Sequence, residues 1–383
     1  MPAPLPASSE LAAARSRIAQ LDMEIEGLKR SLELRLAERD RCRDVLAQYK
    51  YPILTLPSEI SSEIFMQFLS SGYTPFIPLV GSESPPFLLQ ICRQWRNIAL
   101  GTPALWSSFQ VNLQRRNSES LRKQKLQRLE LWLERSGSCP LSIGLWDVPL
   151  GPVTTSVPSS KFPEAIMRHA ARLQHIHVEV PYEKLRGFTS APMPILRSVL
   201  IGPTDGNMLA DTTPSETAVS MCMLAPNLRE VNLSTTTNPF TIILPWSQIT
   251  TLTAELYIPE AIHVLRQTTA LETCTLTIYG YADFTPTHLA VSLLRLRSLI
   301  LHWGDGMPDD SLVVLVDALT LPVLDSLVVS ENLLGADPIA ALSRLRPQGY
   351  PRVMEIENAA LSFEVYRGVF ADAILKVESA EED

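Results

Sequence analysis

The sequence lacks what would mark a membrane, secreted or nucleic-acid-binding protein. No stretch approaches the roughly 20 consecutive apolar residues that a membrane span needs, so no membrane partner is expected. Met1 to Glu10 hold no basic segment followed by an apolar one, so no secretory signal is expected. Cysteine is scarce: Cys42, Cys92, Cys139, Cys222 and Cys274 are odd in number and far apart. That spacing fits reduced thiols and argues against a disulfide framework or a zinc site. Basic charge is in deficit, with 33 Lys and Arg against 41 Asp and Glu and a net charge of -8. A sequence-independent nucleic-acid binder needs a basic footprint, so no nucleic-acid partner is expected. These absences together point to the cytoplasm or the nucleus.

Catalytic vocabulary is missing as well. There is no Walker A loop, no GxSxG elbow and no GxGxxG after a strand. His175 and His177 lie two apart on a predicted strand, with His169 nearby, but no Cys or carboxylate completes a zinc set. Gly304 to Asp310 carry the carboxylates of a calcium loop without its spacing, which reads as a turn and helix start. Asn232-Leu233-Ser234 matches a glycosylation sequon that an intracellular chain leaves unused. No metal, no cofactor and no enzymatic activity are expected.

What is present falls into segments. The 383 residues, 46% of them apolar, suffice for two or three domains with a real core. Residues 1–9, rich in Pro, Ala and Ser, read as disordered. Residues 10–50 read as one helix, with no Pro and only Gly27 between Leu11 and Lys50. Leu11, Ala14, Ile18, Leu21, Ile25, Leu28 and Leu32 recur at steps of three and four, the a/d pattern of a coiled coil. Arg35 and Arg39 break the seam, and Cys42, Leu46 and Tyr49 partly resume it. The pattern implies pairing with a partner or self-association through residues 11–49. The alternative is a single amphipathic helix folded back on its own chain.

Pro52 ends that helix, and residues 51–111 form the next segment. ILTLPSEISSEIFMQFL (53–69) reads as a helix with Ile60, Ile64, Phe65 and Phe68 on one face. Residues 70–86 read as a loop, and 87–111 as a second helical stretch with Leu88, Ile91, Trp95 and Ile98 on its apolar side. Leu54, Leu56-Pro57, Glu59-Ile60 and Ile64-Phe65, then Cys92-Arg93-x-Trp95-Arg96 and Pro103-x-Leu105-Trp106, resemble the F-box. The wording is similar to F-box-like proteins of mushroom-forming fungi, over about residues 50–110. The 70–86 loop is longer than the usual link of that family. The resemblance implies a small helical module that docks on the Skp-family subunit of an SCF-type cullin–RING ubiquitin ligase. The docking face would be Leu56, Pro57, Ile60, Ile64 and Phe65, backed by Leu88, Ile91 and Trp95. The bland alternative is a helical packing module that binds no ligase.

Residues 112–138 read as a connecting helix with Ser118 as N-cap and Gly137 as its stop. Residues 139–372 hold a degenerate repeat: apolar, two others, apolar, one other, apolar. It starts at Leu173, Leu196, Leu228, Ile249, Leu271, Leu296 and Leu324. Those starts are spaced close to the roughly 20–29 residues of leucine-rich repeats. Several copies follow a helix start such as Pro163-Glu164, Pro259-Glu260, Asp309-Asp310 or Asp337-Pro338. Helix then strand, repeated, implies parallel strands with helices outside. The fold class expected is therefore α/β: an N-terminal coiled-coil helix, an F-box-like module, then a leucine-rich-repeat-like solenoid. An ordinary α/β sandwich would show a similar pattern. Residues 373–383 read as an acidic tail.

In a strand, alternate side chains face opposite ways. The residues between the apolar positions would line the concave face of such a solenoid: His175, His177 and Glu179, then Glu230, Asn232 and Ser234, then Thr251, Thr253 and Glu255. The row continues through Thr273, Thr275 and Thr277, then Ser298, Ile300 and His302, then Ser326, Val328 and Ser330. This polar face would hold an unknown protein target, or be a merely solvated surface. The function expected is a substrate-recognition adaptor; the alternative is a protein-interaction scaffold independent of any ligase.

Overall fold

The computed structural model describes residues 8–48, 52–70, 76–113, 119–147, 161–188, 191–203, 219–234, 237–279, 290–304, 311–345 and 351–379. Ser118, Asp309 and Asp310, read above as helix starts, and Tyr49 lie outside these residues. The chain forms two compact units, Met1–Glu63 and Ile64–Asp383.

In the first unit α1 (Ser8–Gln48) is one helix of 41 residues. Its start takes in the last two residues of the segment read as disordered; residues 1–7 lie outside the described set. With no proline between Leu11 and Lys50 nothing interrupts the backbone ladder, and every described side chain from 11 to 46 is exposed. Pairs one turn apart support it, Glu26 with Lys29 and Arg35 with Glu38, both at 3.0 Å; such pairs contribute a few tenths of a kcal/mol each, about 0.2–0.5. Pro52 opens a tight turn, Pro52–Thr55, and α2 (Ser58–Ser70) follows, its residues divided between the units at Glu63 and Ile64.

The second unit is a mixed α/β body built on one large parallel sheet. The loop read over 70–86 contains a short strand, β1 (Ile77–Pro78). The helical stretch read over 87–111 is broken into pieces: α3 (Pro85–Ile91), α4 (Arg93–Leu100), a turn at Pro103–Trp106, and β2 (Ser108–Asn112). The first break has a local cause. Cys92 is extended, with φ −155° and ψ 170°, and its Sγ accepts from the backbone N–H of Trp95 at 3.5 Å, capping α4. The strand has a cause too. Trp106-x-x-Phe109-x-Val111 is the same apolar unit as the later repeats, and all three residues are buried.

Then come α5 (Glu119–Arg135), β3 (Leu141–Trp146), α6 (Lys161–Met167), β4 (Leu173–Glu179), α7 (Tyr182–Leu185), β5 (Ser198–Ile201), β6 (Val219–Ser220), β7 (Glu230–Leu233) and β8 (Ile242–Ile243). The chain continues with β9 (Thr251–Tyr257), α8 (Ile258–Gln267), β10 (Thr273–Tyr279), β11 (Val291–Ser292), β12 (Ser298–Trp303), α9 (Ser311–Ala318) and β13 (Leu319–Thr320). It closes with β14 (Ser326–Ser330), α10 (Pro338–Leu345), β15 (Val353–Ala359), α11 (Phe363–Val369) and β16 (Ile374–Ser379). Helix ends follow their signals. Asp337 Oδ1 accepts from the N–H of Ala340 at the start of α10, at 3.0 Å. Gly137 ends α5 with φ +55°, a conformation favouring glycine.

The sheet has twelve strands in the order β1-β2-β3-β4-β5-β7-β9-β10-β12-β14-β15-β16, which is the order of the chain. Each pairing is parallel. Two minor parallel pairs, β6 with β8 and β11 with β13, lie apart from it. All three apolar positions of all seven repeats are buried, from Leu173, Ile176 and Val178 through to Leu324, Leu327 and Val329. They join Trp106, Trp132 and Phe109 in one core, where Trp132 meets Trp106 edge-on at 5.1 Å and Phe109 at 5.4 Å.

The sheet begins before and ends after the repeats legible in the sequence. Its last strand, β16, occupies most of the segment read as an acidic tail; only residues 380–383 lie outside the described set. A buried carboxylate secures this end. Glu331 accepts from the N–H groups of Ala360 and Leu361 at 3.0 and 3.3 Å and from the Tyr366 hydroxyl at 2.8 Å.

Candidate functional site

Two surfaces are candidates. The first is the sheet face whose side chains alternate with the buried ones. Strand register aligns the residues selected from the sequence into rows. His175, Ser198, Glu230, Thr251, Thr273, Ser298 and Ser326 are successive partners in one row. His177, Leu200, Asn232, Thr253 and Thr275 make the next, which continues into Ile300 and Val328. Thr277 and His302 pair in a third. Apart from Glu230, which is exposed, these side chains are half-buried because neighbours along each row shield one another. Ser330 departs from its expected place: it is buried, its Oγ accepting from the Trp303 N–H at 3.2 Å and donating to Glu357 at 3.3 Å.

The ends of the rows carry the polar networks. His177 Nε2 contacts Glu179 Oε1 at 2.7 Å, which holds the Glu179 carboxyl below its usual range even though burial opposes this. The His177 ring packs against Trp146 at 4.5 Å. That ring in turn lies across Gly144: a Cβ there would stand 2.0 Å from it, so only glycine fits. His175 sits within 2.6 Å of Ser198 Oγ. Burial lowers its pKa, Glu230 raises it and Arg197 lowers it further. Beside it, at the N-terminal ends of β4, β5 and β7, a groove of about 530 Å³ is lined by Gln174, Arg197, Asn227, Arg229, Glu230 and Thr251 among others. At the far end His302 Nδ1 contacts Glu357 Oε2 at 2.8 Å. The middle of the face is a double row of threonines, Thr251 and Thr253 beside Thr273, Thr275 and Thr277, with Glu255 as its one carboxylate.

The sequence reading missed Ser142, Gly144, Trp146, Ser198 and Leu200 on this face. Leu141-Ser142-Ile143-Gly144-Leu145 did alternate, but Pro140 stands where the repeat unit has an apolar residue. Among the described residues no group of three or more His, Cys, Asp or Glu side chains could hold a metal ion, and no helix is long and apolar enough to cross a membrane.

The second surface is helical. Phe65 and Leu88, selected as docking residues, are buried, and Phe65 packs on the half-buried Trp95 at 4.9 Å. Phe65 and Leu88 belong to the core of the second unit and Trp95 packs against it, so Phe65 and Leu88 are not presented to a partner. Ile64 and Ile91 are exposed at 42% and 47%, and so are Phe68 and Phe87, which the docking set omitted. In the first unit Ile60 and Pro57 are exposed and Leu56 is half-buried. Ile60 and Ile64 stand one turn apart on α2. No protein-family model matches the chain, and no curated protein matches it.

Proposed function

We propose that this chain is a substrate-recognition adaptor of the F-box type. Its helical segment would dock on the Skp-family subunit of a cullin–RING ubiquitin ligase, and its sheet would hold a protein target near the ligase. The observation that carries the reading is the pair Ile60 and Ile64, one turn apart on α2 and 50% and 42% exposed. Large apolar side chains grouped in the open mark interaction sites, and these two belong to the segment that resembles the F-box. The twelve parallel strands in chain order, with apolar triplets recurring at leucine-rich-repeat spacing, favour a leucine-rich-repeat-like solenoid. In such a solenoid the Thr- and Ser-rich face would be the target surface. The chain itself would make and break no bond, and it would work in the cytoplasm or nucleus, where such ligases act.

Co-purification of the full chain with a Skp-family subunit is the test. A stable complex is expected. A chain that captures a protein target yet never retains the Skp-family subunit would be a ligase-independent scaffold.

A further inference from the structure

The apolar stripe of α1 is open along its length. Ile18, Leu21, Ile25, Leu28 and Leu32 are between 39% and 64% exposed. A single helix does not carry such a stripe in water without a partner to bury it. We propose that the partner is a second copy of this chain, joined in a parallel, in-register, two-stranded coiled coil.

The seam residues specify this arrangement. Ile18 and Ile25 occupy a positions and Leu21 and Leu28 the d positions that follow them. A β-branched residue at a with Leu at d favours two parallel strands. The flanking charges agree. In a parallel pair each g residue meets the e residue of the partner's next heptad. Arg17 then meets Asp22, Glu24 meets Lys29 and Glu38 meets Arg43, three attractive pairs each formed twice by symmetry, with the uncharged Ser31 and Leu36 between the last two.

Antiparallel registers that cover the stripe through Leu32 lose one advantage or the other. The one that keeps Ile18, Ile25 and Leu32 against apolar partners sets Asp22 against Asp22 and Glu24 against Glu24. The next one pairs these charges well but drives Arg35 against Ile18 and Arg39 against Ala14. In the parallel dimer Arg35 and Arg39 face their own copies. Their guanidinium groups are already paired within each helix, to Glu38 at 3.0 Å and Asp40 at 2.8 Å. Their stems can lie along the seam while the charges reach water. A polar layer of this kind fixes register at some cost in stability. The consequence is a bivalent molecule, with two copies of each binding surface in one assembly, which raises apparent affinity for any repetitive target.

Cys42 falls at a d position and is exposed, which supplies the test. Only in the parallel, in-register pair do two Cys42 residues face each other within the roughly 7 Å Cα separation that a disulfide tolerates. Light scattering on the full chain should give twice the 42.5 kDa chain mass. Diamide, which takes two electrons and two protons from a pair of thiols, should link the dimer covalently. Cys42→Ser should remain dimeric and lose the link. Ile25→Asp with Leu28→Asp should be monomeric while the sheet melts at an unchanged temperature. A monomeric wild-type chain, a dimer that does not link through Cys42, or a double variant that stays dimeric would each overturn the proposal.

Discussion

Leu299 on β12 and Leu327 on β14 are register partners, each only 1% exposed, while Ser298 and Ser326 beside them are partners on the opposite face. Two neighbouring repeats thus bury the same position and present the same position. Truncating a buried Leu to Ala costs about 2–5 kcal/mol, through lost transfer energy and the cavity left behind. A Ser→Ala change at the open face shifts stability by less than about 0.5 kcal/mol. Thermal melts of Leu299→Ala and Leu327→Ala should therefore fall clearly and those of Ser298→Ala and Ser326→Ala should not. The reverse pattern would mean that the strand phase is off by one residue, which exchanges the two faces.

Glu260 gives the sheet a pH dependence. It lies at the start of α8, accepts from the Tyr257 N–H at 3.0 Å, and burial pushes its carboxyl up to about 7 despite that bond. Between pH 4.5, its ordinary value, and about 7 the folded chain holds a proton the unfolded chain has lost. Its contribution to stability therefore declines as pH rises through that window. Glu260→Gln keeps an acceptor for the Tyr257 N–H and carries no charge. It should be more stable than the wild type at pH 7.5, by roughly 1–3 kcal/mol, and about equal to it at pH 4.5. An advantage of the same size at both pH values would contradict the account.

Gly144 is a sharper local test. The Trp146 ring occupies the space a Cβ would need and also packs on His177. Gly144→Ala must displace the ring, at a cost of about 1–3 kcal/mol. The variant should melt lower and show altered tryptophan emission. Unchanged emission with unchanged stability would place the ring elsewhere.

The repeats were the most legible part of the fold, because burial acts on a fixed spacing. Leu173-x-x-Ile176-x-Val178 and its later copies declare both the strand and its phase. The copy at Trp106-x-x-Phe109-x-Val111 obeys the same rule, yet its first residue also belonged to the F-box-like wording, and the helical reading took precedence. At the other end, Met354 and Ile356 keep two thirds of the unit while Pro351 stands at its first position, so the copy on β15 went unread. β16 was hidden by composition: Glu378 lies within it, but the strand is secured by backbone pairing with β15, and backbone pairing leaves no mark on residue type. The docking face was half legible. The 3.6-residue period shows which side chains share one side of α2, but only tertiary packing determines that Phe65 is covered by Trp95 while Ile64 is left open.

The adaptor reading stands or falls on α2. Ile60→Asp with Ile64→Asp places two charges on side chains that are 50% and 42% exposed, so the change should leave the sheet folded. A charge buried in an apolar interface without a partner is strongly unfavourable. Binding of the wild-type chain and of this variant to a purified Skp-family subunit, measured side by side with their melting temperatures, is the most direct measurement. The account predicts a wild-type complex, loss of binding by the variant to below detection, and matching melts. Equal binding by the two chains, or none by either while both are folded, would contradict it.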